Sequence, residues 1–191
     1  MSILIIFITL LCISTGCFAI GAVSGSKLGS AYKTNVTLKT ALVFVVSNLI
    51  AISLSFVVGK LLFPWLHVVT TWICFAFLFL IGVHLLLESI ERPPSLNYTD
   101  IVQSNYLIRV AVQASVDSFL LGFMIAMFYG TAIDKLLLAL LLSAVFNFFA
   151  TILGLLHGHT FVKTVLGNRL ETIAGIVMII VSIYFLLSAN G

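Results

Sequence analysis

Six long apolar stretches, separated by short polar punctuation, occupy most of this chain, at about Ile3–Val23, Leu38–Leu62, Val68–Leu87, Leu107–Tyr129, Leu136–Leu156 and Thr172–Leu187. A helix needs ~20 apolar residues to cross a bilayer, so six crossings use about 120 residues. In a chain of 191 they leave only short connections and no second domain. The composition agrees: 62% of residues are hydrophobic, 8% are charged, and the mean hydropathy is +1.28. Soluble domains carry roughly 25% charged residues. Fifteen charged side chains, nine basic and six acidic, cannot clothe a soluble surface. A soluble enzyme, a nucleic-acid partner and a disordered tail are therefore excluded. The expected fold class is an all-α integral membrane protein whose partner is the lipid bilayer.

The connections are brief. Ser24–Thr37 is rich in Gly and Ser, the second connection holds Pro64, and the third holds Pro93 and Pro94. Gly130–Asp134 forms the fourth turn and His159–Arg169 the fifth. The first apolar stretch is read as a spanning helix rather than a removed signal, because Met1–Leu11 lacks the basic n-region of a secretory leader. Basic residues gather on the cytoplasmic side of bacterial membrane proteins. Lys27, Lys33, Lys39, Arg92, Arg109, Lys163 and Arg169 fall at the odd-numbered connections, against Lys60 and Lys135 opposite. The expectation is an inner-membrane protein with both termini outside. Trp65, His67 and Trp72 read as interfacial anchors. Cys12, Cys17 and Cys74 all lie in apolar stretches, where they behave as small hydrophobes.

The two halves repeat one another where polar residues enter the membrane. Ser14, Phe18 and Gly21 match Ser115, Phe119 and Gly122 in their offsets. Asn48, Ala51, Ser55 and Gly59 keep the spacing of Asn147, Ala150, Gly154 and Gly158, each set on one helical face. A three-helix unit repeated in tandem enters the second time from the opposite side. Two inverted three-helix repeats are therefore expected, 1–90 and 107–191, joined by a cytoplasmic linker at 91–106. Such repeats place a transport site near the midplane between them. Small residues at this spacing also serve plain helix packing. An amide in hydrocarbon, by contrast, needs a partner.

Asp117 is the one acid in the middle of an apolar stretch. At 1.5 Å per residue it lies ~15 Å from the start of its segment. A carboxylate at that depth costs at least ~2.5 kcal/mol on insertion scales and commonly marks an ion path. Gln113, one turn earlier, with Ser115 and Ser118, is expected beside it, and by the repeat Ser14 and Thr15. Asn48, Asn147 and Thr151 complete an oxygen-rich set. Such oxygens suit hard cations: Mg²⁺, Ca²⁺ or Mn²⁺, with Na⁺ or a proton also accommodated. His84, His157 and His159 read as end-of-helix residues. Glu171 reads as an acid at the dipole-positive start of the sixth helix, with a relay role as the alternative.

Six helices in two halves, with "SVDSFLLG" (Ser115–Gly122) opening the second, resemble the MntP-type manganese efflux pumps of the lysine exporter (LysE) superfamily. The "LGLLHGH" exit of the fifth helix and the "LETIAGIVMII" start of the sixth extend the likeness over nearly the whole chain. The resemblance implies a transporter, not an enzyme. It would export a divalent cation, Mn²⁺ foremost, by alternating access, with no cofactor beyond the transported ion. Asp117 would be the charged ligand, and Asn48, Asn147, Gln113 and Ser14 the neutral ones. Gly16, Gly21 and Gly122 would allow close crossing or unwinding. Gly16 stands where the family keeps its first-half Asp, and Asn48 where it keeps a helix-two acid. The alternatives are a monovalent or proton-coupled transporter, and a non-transporting membrane protein that kept the fold. Oligomeric state is left open.

Overall fold

In a computed structural model, the described residues are 3–27, 33–66, 69–91, 104–130, 133–163 and 166–190. They form seven α-helices: α1 (Ile3–Lys27), α2 (Lys33–Leu66), α3 (Thr70–Glu91), α4 (Ser104–Ala114), α5 (Val116–Tyr129), α6 (Ile133–Lys163) and α7 (Leu166–Asn190). No strand occurs among the described residues. Helices α4 and α5 together make one crossing, so six segments are long and apolar enough to traverse a bilayer. This is an all-helical multi-pass membrane protein.

The helices overrun the apolar stretches. α1 continues to Lys27 and α2 begins at Lys33, so most of the expected first loop is helical. Pro64, expected in a loop, lies inside α2 two residues from its end, where its missing N–H costs the helix only a last-turn bond. α6 runs through His157 and His159 to Lys163, absorbing much of the expected fifth turn. The reason is common to all three. A hydropathy reading stops where polarity begins, whereas helical hydrogen bonding continues into the interface. Arg92, Pro93, Pro94 and His67 lie outside the described residues.

The long helices α2 and α6 turn their polar sides inward. On α2, Leu38, Leu42, Val46, Ile50, Leu54, Val57 and Leu61 form an exposed apolar stripe, while Phe44, Asn48, Ile52 and Ser55 are buried. On α6, Ser143, Asn147 and Thr151 are buried at four-residue intervals, opposite exposed Leu137, Leu141, Val145, Phe149 and Leu153. With lipid outside, apolar burial gives helices no reason to associate; close packing and hydrogen bonds must do it.

Glycines make that closeness. α1 crosses α6 with Gly21 against Gly154: a Cβ on Gly21 would stand 2.9 Å from the Thr151 carbonyl oxygen and 3.4 Å from the Gly154 Cα. α5 crosses α2 with Gly122 seated on Ile52 and Ser55. α3 crosses α7 with Gly82 and Gly175 back to back, each facing the other's carbonyl; Ile179 closes one side and Leu86 the other. Exchanging the first crossing for the fourth, second for fifth and third for sixth turns the α1–α6 pair into the α5–α2 pair. The same exchange maps α3–α7 onto itself. The segments that carry Gly16 and Asp117 do not form the main contact: α1 lies chiefly on α6, and touches α5 only briefly.

Candidate functional site

The fourth crossing is interrupted at its centre. Ser115 has φ −87° and ψ −2°, and its N–H bonds to the Val112 carbonyl (3.1 Å), a tightened turn in place of the regular bond to Ala111. Its hydroxyl donates to the same carbonyl (2.7 Å), as Ser14, its counterpart in α1, does to Leu11 (2.7 Å). The Ala111 carbonyl, deprived of its helical donor, accepts instead from the Ser47 hydroxyl of α2 (3.1 Å). A helix N-terminus is thereby created inside the membrane. Asp117 occupies the first turn of α5, where the positive end of the helix dipole favours an anion. It is 4% exposed.

Two helices bring partners to this carboxylate. From α3, His84 places Nδ1 at 3.1 Å from Asp117 Oδ1; the imidazole side chain is 39% exposed and the carboxylate 6%. From α2, fully buried Asn48 accepts a short hydrogen bond from the hydroxyl of Ser118, the neighbour of Asp117. The Asn48 amide donates to the Phe44 carbonyl (2.8 Å) and approaches the Cys17 thiol of α1 (3.9 Å). Asn48 thus ties α1, α2 and α5 together beside the acid.

The other expected residues stand elsewhere. Gln113 is on the exposed side of α4, because the interruption at Ser115 takes it off the face of Asp117. Ser14 is buried and Thr15 half-buried, and both hydroxyls bond within α1. Asn147 is buried on α6, where its amide donates to Ser143 (3.0 Å) and its backbone carbonyl accepts from Thr151 (2.7 Å). Its side-chain oxygen has no hydrogen-bond partner among the described residues. Gly16 is buried in α1, Gly21 makes the α6 crossing and Gly122 the α2 crossing. Glu171 corrects its sequence reading. α7 starts at Leu166, so Glu171 lies beyond the first turn, and it is fully buried. Beside it, Thr172 bonds Ser89 of α3 (2.7 Å). No group of three or more His, Cys, Asp and Glu assembles among the described residues.

From the sequence, His84 reads as an end-of-helix residue, whereas the structure sets it against Asp117. The available signal was that His84 is the single basic side chain between Thr70 and Leu87. An ionisable group in a span ordinarily faces the bundle interior and pairs with another.

Comparison with known proteins follows the same lines. A "Putative manganese efflux pump MntP" from Gloeothece citriformis (strain PCC 7424) is 26% identical over 174 residues, covering 91% of this chain and 89% of that protein. No solved structure matches. The family described as "Putative manganese efflux pump" matches residues 31–186, a range that takes in five of the six crossings and Asp117. The chain belongs to this MntP family.

Proposed function

We propose that the protein exports a divalent cation, Mn²⁺ foremost, across the bacterial inner membrane by alternating access, with Asp117 as the charged ligand. The observation that carries this reading is a buried carboxylate in the first turn of a half-helix at mid-span, next to the Asn48–Ser118 pair. Irregular backbone at membrane depth is tolerated only where protein or a cavity covers it, and interrupted helices of this kind form the ion sites of secondary transporters. Carboxylate, amide and hydroxyl oxygens suit a hard cation such as Mn²⁺. The matched crossings of α1 with α6 and α5 with α2 support two inverted repeats, 1–90 and 107–191, rocking about the shared α3–α7 contact. The orphaned Asn147 oxygen, with Ser14 nearby in sequence register, is a candidate for the second repeat-related half of the path. Glu171 is a candidate relay at the end of the route.

The test is expression in a manganese-sensitive strain. Wild type should protect the cells and lower their manganese content, and Asp117→Ala should do neither at equal expression. A second reading, a membrane protein that kept the fold without transport, draws on Gly16 and on the lack of a three-ligand His, Cys, Asp and Glu group among the described residues. Absence of protection by well-expressed wild type would favour it.

A further inference from the structure

A divalent ion held by Asp117 alone keeps a net positive charge in a low-dielectric setting, which is costly unless strong neutral donors surround it. Among the described residues, His84 is the side chain that meets the carboxylate from another helix within ion-pairing distance. The Nδ1–Oδ1 separation of 3.1 Å has a specific geometric meaning. Two cis ligands, each ~2.2 Å from an octahedral ion, are ~3.1 Å apart, and two at ~2.0 Å on a tetrahedral ion are ~3.3 Å apart. The pair is therefore spaced as one edge of a coordination shell without further movement.

The facing atoms, His84 Nδ1 and Asp117 Oδ1, are both buried, although the imidazole as a whole is 39% exposed, so the pair is closed to solvent in this conformation. The neighbouring shell is already arranged, since Ser118, next to Asp117, is fixed to Asn48. Hydrogen-bonded neighbours of this sort orient ligands.

We propose that His84 is a ligand to the transported ion, completing with Asp117 a mixed nitrogen–oxygen edge, and that it sets which divalent cation the protein accepts. This rests on the reading of Asp117 as the transport site. An imidazole in place of further carboxylates moves preference from the purely oxygen-loving ions toward the later first-row metals, for which nitrogen is the better donor. The site should accordingly reject Mg²⁺ and Ca²⁺, and should hold Co²⁺ more tightly than Mn²⁺. His84→Asp should narrow the preference for Co²⁺ over Mn²⁺ by returning an all-oxygen shell.

The experiment uses the purified full-length protein in detergent micelles. Mn²⁺ and Co²⁺ are titrated calorimetrically, and bound Mn²⁺ is probed by pulsed electron paramagnetic resonance for modulation from a coordinated imidazole nitrogen. Wild type should show that modulation. His84→Gln should lose it and bind Mn²⁺ at least about tenfold more weakly, since losing even an outer-shell partner of a ligand costs roughly 10–100-fold. His84→Asp should also lose it while lowering the ratio of Co²⁺ to Mn²⁺ affinity. Bound Mn²⁺ without nitrogen modulation in wild type overturns the role of His84 and leaves Asp117 as the site, whether or not the variants fold. Modulation that persists in folded His84→Gln does the same. A folded wild-type protein that binds neither metal overturns both readings.

Discussion

The hydroxyl of Ser47 donates to the carbonyl oxygen of Ala111, 3.1 Å away on a different helix, and that oxygen is the one released by the interruption at Ser115. A broken helix in a bilayer is tolerated when the freed backbone group finds a substitute donor. Ser47 is that donor. Interhelical hydrogen bonds of this type contribute about 0.6 kcal/mol on average and up to ~1.7. Ser47→Ala should lower unfolding free energy in micelles by an amount in that range. Ser115→Ala removes the hydroxyl bond to Val112 and should favour a continuous helix, weakening Mn²⁺ binding more than stability. Equal losses in both measurements would count against the link between the interruption and the site.

The glycine crossings should be intolerant in matched pairs. A Cβ on Gly122 would fall on the Ser55 hydroxyl and Ile52 carbonyl, and one on Gly154 on the Phe18 carbonyl. The two carbonyls are backbone obstacles that cannot rotate away. Overpacking of this kind costs about 1–3 kcal/mol. Gly122→Ala and Gly154→Ala should each destabilise the protein by that much, and Leu153→Ala, on the exposed side of α6, should cost much less. Denaturation in detergent measures all three.

Gly16→Asp should place a second carboxylate in the first half of the chain. Its neighbour Cys17 already meets the Asn48 amide, which in turn is bound to Ser118, so the new acid enters next to the existing chain of polar contacts. Affinity for hard cations rises with ligand charge. Calorimetry should show tighter Mn²⁺ binding in Gly16→Asp, and none in Asp117→Asn in either background. No gain in a folded Gly16→Asp protein would mean that the site is not built around this pair.

Glu171→Gln should separate relay from scaffolding. The amide keeps the shape of a fully buried side chain and its place beside the Ser89–Thr172 bond, so thermal stability should change little. Manganese efflux from loaded cells should slow about a hundredfold, the lower end of what loss of a positioned proton-transfer group costs. Unchanged efflux would leave Glu171 a packing residue.

Orientation is testable by cysteine labelling. Seven basic residues at one membrane face against two at the other predict that Ser26→Cys is shielded from an impermeant reagent in intact cells, while Gly191→Cys is reached. The opposite pattern would invert the topology.

Much of this protein was legible along the chain. Hydropathy is a running local average, so the number of crossings and their approximate places follow from it. Asp117 stood out because a lone acid in an apolar run is costly wherever its helix packs. The spacing of Asn48, Ser55 and Gly59 against Asn147, Gly154 and Gly158 suggested a repeat, since helical periodicity is also a local property.

Partnership was decided by the tertiary structure alone. Nothing in a one-dimensional pattern says whether Gly21 meets Gly154 or the helix of Asp117, because that depends on which surfaces approach within a few ångströms. The interruption at Ser115 was hidden because Ser, Val and Asp are all compatible with a continuous helix, and the alternative needs Ser47 from 64 residues earlier to satisfy Ala111. His84 looked like an end-of-helix residue until α3 was laid against α5 and its imidazole met Asp117. Glu171 looked like a cap until α7 began a turn and more before it and closed over the side chain. Sequence determined which groups enter the membrane; packing determined which of them face one another, because electrostatic and metal-binding chemistry depends on distances between helices that local propensity does not encode.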